Sequence, residues 1–144
     1  MRAVVQRVAE ARVRVGDDVV GEIGPGLCVL LGIARGDGEA DAARLAGKVA
    51  RLRIFENAEG KFDRSVLDAG GSVLAVSQFT LIADTAKGNR PSFTDAAPQD
   101  EAELLYEAFC VALCELKVPV ERGVFGARMA VELINEGPAT IVLD

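Results

Sequence analysis

Apolar and polar positions alternate at Ala11-Arg12-Val13-Arg14-Val15, the two-residue period of a strand with one buried face. Gly16-Asp17-Asp18 interrupts the pattern, and apolar positions return over 19–23, which predicts a β-hairpin. Gly24-Pro25-Gly26 is expected to turn the chain into residues 27–33, a nearly continuous apolar run suited to a central strand. Polar residues at 37–41 offer caps for a helix carrying Leu45, Val49 and Leu52 on one face. A short strand at 53–55 and a turn at Asn57-Ala58-Glu59-Gly60 follow. Gly70-Gly71 then leads into 72–82, which is apolar and β-rich. Residues 83–97 contain Gly88, Pro91 and Asp95 and read as a long surface loop. Pro98-Gln99-Asp100-Glu101 opens a second helix, with Pro and acids in the first turn as the macrodipole favours. Its buried stripe is Leu105, Phe109, Ala112 or Leu113, and Leu116, and Pro119 ends it. Residues 124–134 and 139–143 are expected to be the last two strands, parted by Asn135-Glu136-Gly137-Pro138. About seven strands, two helices and few βαβ spacings predict an α+β fold with a mainly antiparallel, rolled or barrel-like sheet. With no repeat or linker, residues 1–144 read as one domain.

Composition narrows the chemistry. Half the residues are hydrophobic and 26% are charged, enough apolar material for a real core and against disorder as the main state. The longest apolar stretch, 27–34, is far too short to span a bilayer. The first residues reach charge at once, without the apolar core of a signal peptide, so the reading is cytoplasmic. There is no His at all, which removes Ser-His-Asp and Cys-His catalysis and any zinc site that needs imidazole. Cys28, Cys110 and Cys114 form no C-x-x-C pair and suggest small buried side chains rather than a disulfide framework or a thiolate cage. Neither metal nor cofactor is expected.

The net charge is −6, which does not suit nonspecific binding of nucleic acid over the whole surface, and no DNA partner is expected. The charge is uneven, however. Arg2, Arg7, Arg12 and Arg14 stand against Glu10 alone over residues 1–15, and Arg44, Lys48, Arg51, Arg53, Lys61 and Arg64 against Glu56, Glu59 and Asp63 over 44–64, whereas residues 95–107 hold acids and no base. A basic face on an acidic body suits a partner gripped at one end, and ordinary solvated faces account for the same pattern.

Two segments do not read as plain scaffold. Ser77-Gln78-Phe79-Thr80-Leu81 places three polar side chains at the end of an apolar strand. Continued alternation puts Ser77 and Phe79 on one face and Gln78 and Thr80 on the other, marking a strand end or a pocket. Gly137-Pro138 lies between two strands and reads either as an ordinary turn or as a special one.

Together these residues resemble the D-aminoacyl-tRNA deacylases of the common bacterial and eukaryotic type. The likeness runs from Val5-Gln6-Arg7-Val8 through Gly70-Gly71-Ser72-Val73-Leu74 and Ser77-Gln78-Phe79-Thr80-Leu81. It continues in Arg90-Pro91-Ser92-Phe93 and ends in Asn135-Glu136-Gly137-Pro138-Ala139-Thr140, which fits the pattern N-x-G-P-x-T. The resemblance implies a homodimer with two active sites at the subunit interface. Ser77, Gln78, Phe79 and Thr80 of one subunit would line the catalytic pocket, and Gly137-Pro138 of the other, with a cis bond, would reach into it as a wedge. Arg7 and Met129 would brace that wedge. The implied substrate is the ester of D-aminoacyl-tRNA, and the products are D-amino acid and tRNA.

Physical chemistry is compatible with such a site. An aminoacyl ester is already activated by its α-ammonium group and neighbouring ribose hydroxyl. Positioning and oxyanion stabilisation then suffice without His, and backbone N–H groups of Gln78, Phe79 and Thr80 are the natural donors. The resemblance favours the RNA 2′-hydroxyl as the catalytic group. Thr80 as a covalent nucleophile is the alternative, and it lacks an evident base. A rigid wedge would exclude an L side chain and admit D-aminoacyl and glycyl esters alike. A dimeric RNA-end-binding module without catalysis is the competing non-enzymatic reading.

Overall fold

The computed structural model describes residues 1–144. A long first strand, β1 (Arg2–Val15), organises the sheet. One of its edges pairs with β2 (Asp18–Ile23) and β3 (Gly26–Gly32), both antiparallel. The expected turn at Gly24-Pro25-Gly26 proves to be only a break in one ladder: Ala11 faces Ile23 and Val8 faces Gly26, so the register runs straight through. Helix α1 (Glu39–Arg51) follows, with the Asp41 carboxylate accepting the Gly38 N–H at 2.8 Å. A small hairpin, β4 (Phe55–Glu56) and β5 (Phe62–Arg64), stands apart from the main sheet. Next come β6 (Ser72–Ser77), helix α2 (Gln99–Glu115), β7 (Val120–Arg122) and β8 (Ala130–Leu143).

The sheet order is β2-β1-β3-β6-β7, with β8 on the free edge of β1. The β3–β6 and β6–β7 pairs are parallel, and the remaining pairs are antiparallel. The far edge curls back until β7 meets β2: the Glu22 N–H reaches the Glu121 carboxylate at 3.5 Å. Gly21 makes the approach possible, because any Cβ there would overlap the Arg122 carbonyl. The expected α+β fold with a nearly closed sheet and two helices is what forms.

Strand alternation divides the apolar residues between two cores. Leu27, Val29, Leu31, Val73 and Ala75 face the helices and pack with Leu45, Val49, Phe109 and Leu113. Cys28, Leu74 and Val76 face the inside of the roll with Val8, Ala11, Val13 and Ile23. A register shift between Val8 and Glu10 allows Val8 to share a face with Ala11 and Val13, three and five residues on. The Tyr106 hydroxyl donates to the Ala75 carbonyl at 2.8 Å and fixes α2 on β6. Leu52 and Leu116, expected on buried helix faces, are instead the half-buried C-caps of α1 and α2.

Three expectations along the chain need correction. The strand expected over 72–82 ends at Ser77, and Phe79–Ile82 is a 3-10 turn. Residues 124–129 are loop, so the strand expected to begin at 124 begins at Ala130. The two last strands are one strand with a bulge. Gln6 faces Thr140 and Val8 faces Asn135, so residues 136–139 form an outward loop against a single β1 residue, Arg7.

Candidate active site

A cleft of about 510 Å³ opens where β6 ends, between the mouth of the roll, the first turn of α2 and the loop before β8. Ser77, Gln78 and Phe79 form one wall, Gln99 and Ala102 of α2 another, and Phe125, Ala127 and Met129 the third. The wall exists because the ladder stops there. The Gln78 N–H donates to the Leu31 carbonyl at 2.8 Å, and the backbone then coils into the 3-10 turn. Continued alternation past Ser77 therefore fails, and Phe79 and Thr80 are both exposed.

This coil changes which N–H groups are available. The Gln78 N–H is spent on Leu31, whereas those of Phe79 and Thr80 open the turn with no acceptor in the chain. The Thr80 hydroxyl accepts a hydrogen bond from the Gln78 side-chain amide. That amide is a donor and takes no proton, so it does not activate Thr80 as a nucleophile. The Phe79 ring meets Phe93 edge-on at 5.0 Å between centroids, which gives the cleft an aromatic rim.

The second segment lies elsewhere. Gly137 and Pro138 are exposed on the β8 bulge, and their peptide bond is cis. Arg7 stands behind them and is almost buried, at 7% exposure. Its guanidinium donates to the Glu136 carbonyl at 2.9 Å and to the Ile54 carbonyl at 2.7 Å. It also lies 3.7 Å from the Glu56 carboxylate and 5.3 Å from the centre of the Phe62 ring. Gly137 has φ +123°, which L side chains rarely adopt, and a Cβ there would lie 2.7 Å from the Arg7 guanidinium. The absent side chain makes room for Arg7 behind the bulge.

Of the residues singled out in the sequence, Ser77, Gln78, Phe79 and Met129 meet in the cleft, with Thr80 on the adjoining turn. Arg7, Gly137 and Pro138 form a separate group. Arg7 faces Leu27 and Ser77 faces Leu31, so, followed along the curved sheet, the groups stand roughly 13 Å apart along the strands and roughly 14 Å across the three strand steps from β6 to β8. Met129 therefore sits with Ser77 and away from the bulge of its own chain. Gln99, Phe125 and Ala127 were not foreseen as cleft residues. They come from distant elements, and only the lone aromatic between Gly123 and Gly126 hinted at a role.

Comparison with known proteins bears on this geometry. The family model described as D-Tyr-tRNA(Tyr) deacylase matches residues 4–144. A D-aminoacyl-tRNA deacylase of Dinoroseobacter shibae is 58% identical over all of this chain and 99% of its own length. One from Anaeromyxobacter dehalogenans is 60% identical over all of this chain and 97% of its own. A solved structure described as c-Myc DNA unwinding element binding protein superposes with TM-score 0.94 at 42% identity, covering 100% of this chain and 98% of that one. A probable eukaryotic D-amino acid tRNA deacylase superposes with TM-score 0.80 at 20% identity, covering 99% and 97%, and bears on the fold alone. By a matched model over nearly its whole length and by full-length relatives, the chain belongs to the D-Tyr-tRNA(Tyr) deacylase family.

Proposed function

We propose that this protein is a D-aminoacyl-tRNA deacylase, a carboxylic-ester hydrolase that releases D-amino acids from tRNA and rejects L-aminoacyl esters by shape. The observation that carries the reading is the separation of the two segments: the exposed Gly137-Pro138 bulge takes no part in lining the cleft of its own chain. A bulge and a cleft that do not meet within one chain meet across a two-fold homodimer, where each copy supplies a wedge to the other. In that arrangement the partner's wedge enters the cleft beside Met129, and Arg7 holds each wedge from behind.

The chemistry asked of the cleft is modest. The N–H groups of Phe79 and Thr80 stabilise the oxyanion as the ester carbonyl becomes tetrahedral. The ribose 2′-hydroxyl of the terminal adenosine assists attack by water on the carbonyl carbon. The acyl–oxygen bond breaks, and the leaving ribose oxygen takes up a proton. Glycyl-tRNA, which has no side chain to collide with the wedge, also passes. Thr80 as a covalent nucleophile is disfavoured by its exposure and by a neighbour that is an amide rather than a base.

Hydrolysis of matched D-, L- and glycyl-tRNA by the purified protein tests this. D and glycyl esters are expected to disappear at similar rates, and L esters at least about a hundredfold more slowly, or roughly 2.8 kcal/mol of discrimination. Thr80→Ala should keep a substantial part of the rate, while 2′-deoxyadenosine-terminated substrate should not turn over. Comparable D and L rates overturn the shape filter, and a dead Thr80→Ala with normal cleavage of the deoxy substrate installs the nucleophile mechanism.

A further inference from the structure

A second cleft, of about 700 Å³, lies on the helix side of the molecule, lined by Arg44, Lys48, Arg51, Leu52, Arg53, Leu143 and Asp144. Arg44, Lys48 and Arg51 recur at i, i+4 and i+7 on α1 and so share one face over about 10 Å of helix. None of the three has a side-chain carboxylate within ion-pair distance, although the chain as a whole carries −6. The acids nearby are engaged elsewhere: Asp144 with Arg2 at 2.7 Å, Asp63 with Arg53, and Glu56 facing Arg7. Arg44 makes one long contact, 3.4 Å, to the Asp144 backbone oxygen.

The helix is also shaped for this face. Gly47 lies buried in the middle of α1, where glycine weakens a helix. The three side-chain atoms nearest to a Cβ at Gly47 would all belong to the Arg51 guanidinium, the first at 2.5 Å. The missing side chain is thus the seat on which the Arg51 guanidinium rests beside Lys48. Cations in a last helical turn also favour the macrodipole, but that role needs no seat of this kind.

The cleft is linked to the wedge through one short segment. Leu52 and Arg53 in its wall lead directly to Ile54, whose carbonyl binds Arg7, and the same guanidinium binds Glu136 next to Gly137. One arginine therefore ties the cationic cleft to the bulge.

We infer that the Arg44-Lys48-Arg51 cleft binds the phosphodiester backbone of the tRNA acceptor arm, and that the chain supplying the wedge also holds the RNA whose ester lies in its partner's cleft. This rests on the reading of the bulge as one half of an aminoacyl-tRNA site. A run of phosphates is the ligand that fits, since it brings repeated negative charge to a row of unpaired cations.

The test is binding of labelled, deacylated tRNA to the full-length protein by fluorescence anisotropy across a salt series. Lys48→Glu/Arg51→Glu should weaken binding at least about tenfold and make the slope of log K against log salt shallower by about 1.4–1.8, two phosphate contacts' worth. The loss should appear as a raised KM for D-aminoacyl-tRNA, with kcat kept and hydrolysis of D-aminoacyl-adenosine unchanged. Gly47→Ala guards against a folding artefact: it favours the helix and displaces only Arg51, so it should hold or raise Tm while tRNA affinity falls. Unaltered tRNA affinity and salt slope in both variants overturn the inference, as does an equal loss on D-aminoacyl-adenosine. Failure of the unaltered protein to hydrolyse D-aminoacyl-tRNA overturns the parent reading instead, and the anisotropy series on deacylated tRNA still decides the cleft.

Discussion

Arg7 shows how one buried cation can fix a functional feature from behind. Its guanidinium satisfies the Ile54 and Glu136 carbonyls and lies over the Phe62 ring, so truncation strands two acceptors at once. Arg7→Ala is expected to destabilise the fold by about 1–3 kcal/mol per orphaned carbonyl, measured by chemical denaturation. Gly137→Ala should behave differently. Its methyl would meet Arg7 and strain a backbone at φ +123°, so hydrolysis should fall at least about tenfold while the strain costs the fold about 1–3 kcal/mol, less than the loss of both Arg7 bonds. An unchanged rate for Gly137→Ala would remove the bulge from the site. The cysteines give an independent check on packing. Burial pushes the thiols of Cys28 and Cys110 up to about 11, whereas Cys114 is exposed. Iodoacetamide at pH 8 should therefore add once to the native protein and three times after denaturation, read by intact mass.

At the scale of elements, long β1 is the organiser, and its outward residues tie three strands together. Glu132, Arg12 and Glu22 stand side by side across β8, β1 and β2. Hydrogen bonding from Arg14, with a further contribution from Arg12, holds the Glu132 carboxylate below its ordinary value of 4.5. A folded-state value below the unfolded one means that the stabilisation is present above about pH 4.5 and is lost as pH falls through the folded value. Glu132→Gln should lower Tm slightly at pH 6, and the gap to the unaltered protein should close toward pH 3. A gap that persists at pH 3 would assign the effect to packing rather than charge. The effect is small because the pair is exposed to solvent.

For the whole molecule, the decisive arrangement is that the cleft and the bulge lie on different parts of one chain. If two copies exchange bulges, a variant spoiled only in the cleft and one spoiled only at Gly137 should complement each other. Random mixing of two impaired homodimers, Ser77→Trp and Gly137→Ala, would leave half the dimers mixed, each with one intact site, and recover about a quarter of the unaltered activity above the level of either parent. No recovery from well-mixed dimers would place both parts of the site in a single subunit.

The helices, parts of most strands and the two segments that do not fit a plain scaffold were legible because local physics determines them. Period-two alternation marked only the last five residues of β1 and its hairpin return, leaving residues 2–10 unread, and the stripe Leu105, Phe109 and Leu113 marked α2. β5 and β7 were missed because strands of three residues carry no period to read. Ser77, Gln78 and Thr80 stood out, around Phe79, as polar residues closing an apolar run, yet the conformation of the segment did not. Whether Gln78 continues a ladder or starts a turn depends on the Leu31 carbonyl, far away in sequence. Likewise Gly137-Pro138 was visible as punctuation between strands, but only the pairing with β1 makes it an outward bulge on one continuous strand. The sequence by itself determined the class of fold, the elements and the residues that do not fit a plain scaffold, because those follow from spacing and side-chain type. Tertiary structure alone decided which N–H groups stay free, what Arg7 grips and where the unpaired cations gather. Each of these depends on groups brought together by pairing and packing between distant segments, which no local pattern records.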